Sequence, residues 1–135
     1  MSSFSIVIPA KNEAGAIGSA VAGAREAYPE AEIIVVDDGS DDDTAAVARE
    51  AGARVIQHPE SLGNGAAVKA GARAATGDII AFMDGDGQHS ASEFAPLLQK
   101  LDEGYEMVIG ARDSGSHANV GRLYANGIYN VVASW

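Results

Sequence analysis

The 135-residue sequence has no cysteine, which excludes disulfides and thiolate metal sites. Its redox compartment stays open, because a chain without cysteine fits either side. It also lacks any cluster of lysine and arginine: 9 basic residues stand against 19 acidic ones, a formal charge of −10. A nucleic-acid backbone needs a basic face, so that class of partner is excluded. Aromatic residues make up 6% of a chain that is 47% hydrophobic, so the core has to be built from Ala, Val, Ile and Leu. No apolar stretch reaches the length of a membrane span, and the N-terminus has no basic region followed by a long apolar run. The expectation is a chain made and kept in the cytoplasm.

What is present is a repeating pattern. The length suits one core and not two comfortable domains, and the 16 glycines imply many tight turns. Phe4 to Ile8 is predicted as a strand stopped by Pro9, and Ile17, Ala20, Val21, Ala24 and Tyr28 recur at helical spacing until Pro29, with Asn12 or Glu13 near the positive end of that helix. Glu32 to Val36 is a second strand running into Asp37-Asp38-Gly39-Ser40. Ser40 and Asp41 are N-cap candidates for a helix through Val47 and Ala51, ended by Gly52. Arg54 to Gln57 is a third strand, followed by a turn-rich loop from His58 to Gly65 and a helix carrying Ala67, Val68, Ala70 and Ala74. Ile79 to Met83 is a fourth. Ser90 and Glu93 have the spacing of a capping box before a helix with Phe94, Leu97, Leu98 and Leu101 on one side, and Met107 to Gly110 closes the visible strands. Strands alternating with such helices imply an α/β fold on a parallel sheet with right-handed crossovers.

The fourth strand delivers Asp84-Gly85-Asp86-Gly87-Gln88-His89 to its carboxyl end. Two carboxylates separated by a glycine can turn their oxygens toward one hard cation, because glycine lets the chain bend with no side chain in the way. Mg2+ or Mn2+ is the natural guess, and such ions keep positions open for phosphate oxygens; Gln88 and His89 are candidates for further support. A solvated acidic turn is the plain alternative, and an EF-hand loop fits poorly, since Gln88, Gly87 and Ala95 stand where that loop needs other residues. Ligands of open parallel sheets bind at the strands' carboxyl ends. Pro9 to Glu13, Asp37 to Ser40, Asp84 to His89 and Gly110 to Arg112 all fall on that edge, so one pocket can collect them. His58 and His117 sit in loops without acid partners nearby and are expected at the surface. From Ser114 the composition turns flexible, and Gly121 to Ser134 is predicted as a terminal amphipathic helix bearing Leu123, Ile128, Val131 and Val132, with Trp135 just beyond. It lies either on a membrane or partner, or on its own sheet.

With these stretches in hand, the chain resembles the family 2 glycosyltransferases of the GT-A fold, and within them the dolichyl- or polyprenyl-phosphate mannose and glucose synthases. The matching pieces are Ile6 to Glu13, Ile34 to Ser40, Leu62 to Ala67, Gly77 to His89 and Gly110 to Arg112, in the family's order over most of the chain. The resemblance implies a GT-A, Rossmann-like, three-layer α/β/α fold with a mainly parallel central sheet, with residues 1–113 as the nucleotide-sugar-binding part and 114–135 as a loop and helix on the acceptor or membrane side. It implies a hexosyltransferase that inverts, moving a hexose from a GDP- or UDP-sugar to polyprenyl (dolichyl) phosphate at the cytoplasmic face of the membrane. Pro9, Lys11 and Glu13 would border the base and ribose, Asp38 would help hold the nucleoside, and Gly85 would lie beside the donor. Asp84, Asp86 and Gln88 would hold Mg2+ or Mn2+, with Asp86 also catalytic and Arg112 and Arg122 positioning the acceptor phosphate.

Gly87 and Asn64 depart from the family's usual residues, and its later Ser-Gly-Phe-Arg type motif and further acceptor elements do not occur in these residues. The expectation is therefore the donor half of such an enzyme. A nucleotide-sugar-binding module without turnover, or a transferase with a saccharide acceptor, are the alternatives. A receiver domain is disfavoured because Pro9, not an acidic pair, follows the first strand, and a dinucleotide-binding oxidoreductase because Pro9 to Gly15 lacks the glycine fingerprint.

Overall fold

Among the described residues, six extended segments join one sheet in the order β3-β2-β1-β4-β6-β5. The computed structural model describes residues 3–85, 91, 94–103, 107–110 and 129–133. Strands β1 (Phe4–Ala10), β2 (Glu32–Asp38), β3 (Arg54–His58) and β4 (Ile79–Phe82) are parallel, while β6 (Tyr129–Ala133) lies between β4 and β5 (Met107–Gly110) and is antiparallel to both. Helices α1 (Ile17–Ala27), α2 (Thr44–Glu50), α3 (Asn64–Ala74) and α4 (Phe94–Asp102) follow β1, β2, β3 and β4 in turn.

Strand alternation sorts the core into two sides. Ile6 and Ile8 of β1 and Ile33 and Val35 of β2 bury against Ile17, Val21 and Ala24 of α1, Ala48 of α2 and Phe94 of α4. Val7, Ile34 and Val36 point the other way and pack with Ala67 of α3. The result is the three-layer α/β/α arrangement expected, on a mainly parallel sheet. Three aromatics meet on one side of the sheet: Phe4 meets Tyr28 and Phe94 edge-on, with ring centroids 5.0 and 6.0 Å apart, which ties α4 to the start of β1.

Four expectations need correction. Pro9 does not stop β1: the strand continues to Ala10, with Pro9 opposite Val36 and Ala10 opposite Asp37. The Val7 carbonyl accepts from Met83 N (3.0 Å) on the β4 side. Pro9, two residues on, faces that same side, where the β4 pairing ends at Phe82, so its missing N–H leaves the pairing with β2 intact through Ala10. Second, α2 begins after Asp43 and not at Ser40 or Asp41; Asp42 Oδ1 accepts from Thr44 N (3.0 Å), while Ser40 and Asp41 are engaged elsewhere. Third, Met107–Gly110 is not the last strand. Fourth, residues 129–133 are strand and not part of a terminal helix. That five-residue segment is dominated by aromatic and β-branched residues, and an apolar run this short carries no period able to separate strand from helix. Pairing Val131 with both Ala81 and Val108 closes the gap between β4 and β5. Ser90 and Glu93, the expected capping box, lie outside the described residues, as does most of 114–135.

Helix α3 comes unusually close to the sheet at Gly71, where a Cβ would stand 2.2 Å from Val7 Cγ1. Gly71→Ala is expected to destabilise the chain by about 1–3 kcal/mol through overpacking. Gly23→Ala, on the open face of α1 where an added Cβ meets nothing within 4 Å, should instead gain roughly 0.5–1 kcal/mol from helix propensity. Urea midpoints of the two variants, moving in opposite directions, check the pair.

Candidate functional site

The parallel pairing of β1 with β4, Val7 opposite Phe82, carries the residues after both strands to the same edge. There a cleft of about 170 Å³ is lined by Pro9, Ala10, Lys11, Glu13, Asp84 and Gly85. Five residues singled out in the sequence thus meet in one place: Pro9, Lys11, Glu13, Asp84 and Gly85. Asp84 and Lys11 are exposed, whereas Gly85 is buried, and a Cβ on it would fall 3.1–3.3 Å from Ile17, Ala10 and Ile8. The glycine is therefore seated where the backbone passes the core with no room for a side chain, which fixes the direction in which the chain leaves Asp84. Asp86, Gln88, His89, Arg112 and Arg122 lie outside the described residues.

A carboxylate at a strand end, in a cleft beside a glycine turn, is the hard oxygen donor that Mg2+ or Mn2+ takes, so Asp84 fits such an ion. Among the described residues no group of three or more His, Asp or Glu is gathered to complete a site.

The wall of the cleft is built by the loop from β1 to α1, and that loop is held by the next one along. Asn12 takes a left-handed backbone (φ 54°), which Asn tolerates better than most residues. Its N–H donates to Ser40 Oγ (2.8 Å) and its Oδ1 accepts from Asp41 N (2.8 Å). Glu13 N donates to Thr44 Oγ1 (2.9 Å) and Ala14 N to Asp42 Oδ2 (3.2 Å), while the Thr44 hydroxyl also contacts Asp42 Oδ1. The Glu13 carbonyl then accepts from Ala16 and Ile17 N, opening α1.

Asp38 does not line the cleft. Its carboxylate is buried at the end of β2, and each oxygen takes two hydrogen bonds, one from the last residue of β3 and three from the loop that follows it. Oδ1 accepts from His58 Nδ1 (2.9 Å) and Leu62 N (2.9 Å), and Oδ2 from Ser61 Oγ (2.9 Å) and Gly63 N (3.0 Å). Burial by itself would raise the carboxyl's pKa; hydrogen bonds from His58, Leu62, Ser61 and Gly63 outweigh it and hold the group well below the usual carboxylate range. His58 is therefore not the partnerless surface residue expected. Its side chain is 13% exposed and Asp38's 7%, a buried pair set by the parallel register that places the two residues opposite each other. Sequence gives the two strands but not their register, and the register is what joins an Asp in one motif to a His between motifs.

The family model described as Glycosyl transferase family 2 matches residues 5–130, nearly the whole chain. The chain belongs to glycosyl transferase family 2. This family 2 chain is 39% identical over 107 residues to an uncharacterized glycosyltransferase of Mycobacterium tuberculosis, covering 79% of this chain and 47% of that protein. It is 34% identical over 116 residues to the polyprenol monophosphomannose synthase of Mycolicibacterium smegmatis, covering 79% and 44%. Among solved structures it resembles the glucosyl-3-phosphoglycerate synthase of Mycobacterium tuberculosis, crystallised with Mn2+, UDP-glucose and phosphoglyceric acid. The TM-score is 0.68 at 31% identity, over 82% of this chain and 43% of the other. The family 2 chain thus spans less than half the length of these relatives. Among its described residues no helix is long and apolar enough to cross a membrane.

The buried Asp38 carboxylate has a pH signature. Its pKa is lower folded than unfolded, so its contribution to stability is complete above the unfolded carboxylate value of about 4 and is lost as pH falls through the lower folded value. Asp38→Asn puts an amide in place of an acceptor facing four donors and is expected to cost roughly 2–4 kcal/mol near neutral pH. Urea titrations of both proteins from neutral pH downward should show that difference shrinking below about pH 4.

Proposed function

We propose that this chain forms the donor half of an inverting glycosyltransferase, which binds a nucleoside diphosphate hexose and passes the sugar to polyprenyl phosphate. The observation that carries the proposal is the cleft that Asp84 shares with Pro9 of β1 and with Lys11 and Glu13 of the β1–α1 loop, at the carboxyl ends of two adjacent parallel strands. A structural relative crystallised with Mn2+ and UDP-glucose supports the donor class, and the name of the mycolicibacterial relative supports the acceptor. Because the matched relatives run well beyond the aligned region, donor capture is assigned to these residues and transfer to the whole enzyme.

In this proposal Pro9, Lys11 and Glu13 border the nucleoside and Gly85 lies beside the diphosphate, while Asp38, which does not line the cleft, helps to hold the nucleoside only through the loops it ties together. Asp84, Asp86 and Gln88 would hold Mg2+ or Mn2+, which when bound supplies positive charge against the diphosphate leaving group. Lys11 adds a fixed cation in the same cleft. An acceptor oxygen attacks the anomeric carbon from the face opposite the diphosphate; the bond from that carbon to the diphosphate oxygen breaks, and the configuration inverts. A phosphate acceptor is already an anion and needs no strong general base, so the task left for Arg112 and Arg122 is to position it by charge-assisted hydrogen bonds. Work on a polyprenyl phosphate would place the protein at the cytoplasmic face of a membrane. The crystallised relative's phosphoglycerate ligand favours a second reading, a small phosphorylated acceptor in place of the lipid.

Titration calorimetry with UDP-glucose and GDP-mannose in Mn2+ tests donor capture. Asp84→Asn and Asp86→Ala are each expected to weaken binding by at least about tenfold, near 1.4 kcal/mol, with the fold retained. Equal affinity in chelator would sink the metal assignment. Incubating labelled donor with polyprenyl phosphate in one arm and phosphoglycerate in the other separates the two acceptors by which product appears, and binding without either product would leave a nucleotide-sugar module.

A further inference from the structure

The Asp38 and His58 pair lies on β2 and β3, away from the cleft at β1 and β4, yet a continuous line of contacts joins them. His58 Nδ1 must carry the proton it shares with Asp38 Oδ1, because an ionised carboxylate only accepts. With His58 and three groups of the β3–α3 loop, Asp38 holds that loop down over the end of β2. Gly39, the next residue, runs so close beneath it that a Cβ would stand 2.4 Å from Ser61 N and 2.5 Å from the Glu60 carbonyl carbon, and Gly39 itself has φ +70°. The Gly39 turn is therefore pressed between the clamped loop above and Asp37 below, whose Oδ1 accepts from Ser40 N (3.1 Å). Ser40 then presents its hydroxyl oxygen to Asn12 N, and Asp41 N reaches Asn12 Oδ1, both at 2.8 Å. Asn12 sits between Lys11 and Glu13, the two charged residues of the β1 side of the cleft. Those two bonds hold Asn12 in its left-handed conformation, and relaxing it would swing both neighbours.

We propose that His58 is a positioning residue for the cleft, acting through Asp38, the Gly39–Ser40 turn and Asn12 to set Lys11 and Glu13 for a nucleoside diphosphate. This rests on the donor-site reading above. His58 touches no ligand in this arrangement. Its effect is to keep one conformation of the wall dominant, so the bound state does not have to be selected from a mixture.

The test uses UDP and GDP in Mn2+ as probes, with affinities from calorimetry and folding from thermal midpoints. His58→Phe keeps a ring but loses the Nδ1 donor, and is expected to weaken the preferred nucleotide by about tenfold. His58→Asn, whose amide nitrogen falls near the Nδ1 position, should recover most of that loss. Ser40→Ala cuts the line further along and should weaken binding similarly. The double variant His58→Phe, Ser40→Ala should be no weaker than the worse single one, because both act along one route. A purely structural role for His58 would lower the midpoint in His58→Phe and leave affinity in the folded protein unchanged, which overturns the proposal, as does an additive double variant. If His58→Phe fails to fold, Ser40→Ala decides alone, and native affinity in it overturns the route. Wild-type protein that binds neither nucleotide removes the donor-site reading itself, an outcome distinct from normal wild-type binding with indifferent variants.

Discussion

One buried carboxylate organises the carboxyl edge of this sheet. Removing the Asp38 charge from water is costly unless every lone pair is used, and four donors, His58 at the end of β3 and three in the loop after it, use them. The requirement runs both ways. Leu62 and Gly63 have their N–H groups at the entry to α3, where the helix offers no intrahelical acceptor, and Gly63 stands at the N-cap without a side chain to help. Asp38 thus does from β2 what a capping residue would do from within the loop. The carboxylate is satisfied by the helix entry and the helix entry by the carboxylate, so neither the strand end nor the loop is free to move separately.

The same logic repeats one strand inward. The loop after β1 has no regular partner for Asn12, Glu13 and Ala14 N–H groups, and Ser40, Thr44 and Asp42 of the neighbouring loop supply the acceptors. The loop after β1 and the entry to α3 are thus both held by side chains at the end of β2 and just beyond it. That interlocking explains why acids and hydroxyls are dense between residues 37 and 44 in a chain that already carries a charge of −10. Several of those acids accept from backbone N–H groups. Asp42 does so although exposed: the Thr44 hydroxyl, opposed by slight desolvation and helped by Ala14 and Thr44 N–H groups, keeps its carboxyl below the ordinary range.

The sequence carried the alternation of strands and helices well because each apolar run has a breaker beside it and each helix an apolar stripe: Ile17, Ala20, Val21 and Ala24 are the buried positions of α1. The edge where the site lies followed from strand direction alone, and Pro9, Lys11, Glu13, Asp84 and Gly85 do meet there. Three things were not legible, each because it depends on partners remote in the chain. Whether a proline ends a strand depends on which neighbour its missing N–H would have faced, and Pro9 faces the side where β4 has already ended. Whether Tyr129–Ala133 is strand or helix depends on the open ladder of β4 beside it. Whether His58 is bare depends on register, since a slip of one residue between β2 and β3 would turn it to the other face of the sheet from Asp38.

A cleft flanked by acids is a poor host for a diphosphate unless cations outnumber them locally. Among the described lining residues Lys11 stands beside two acids, Glu13 and Asp84, so this part of the lining is not basic in composition. On the proposed reading, a divalent ion on Asp84 would add positive charge there, and would let a protein with so large a negative charge use carboxylates, and not an arginine cluster, at a phosphate site. Under this reading, affinity for the nucleotide depends on the ion and selection among nucleotides on the wall. The ion's side is anchored by Gly85, wedged against Ile8, Ala10 and Ile17, whereas the wall is anchored at Asn12 by hydrogen bonds to the Ser40 turn. The packed side is rigid for lack of space and the hydrogen-bonded side only for as long as its donors and acceptors stay paired. Variation in the loops after β2 and β3 would therefore retune which nucleotide is held while leaving the phosphate end of the site intact.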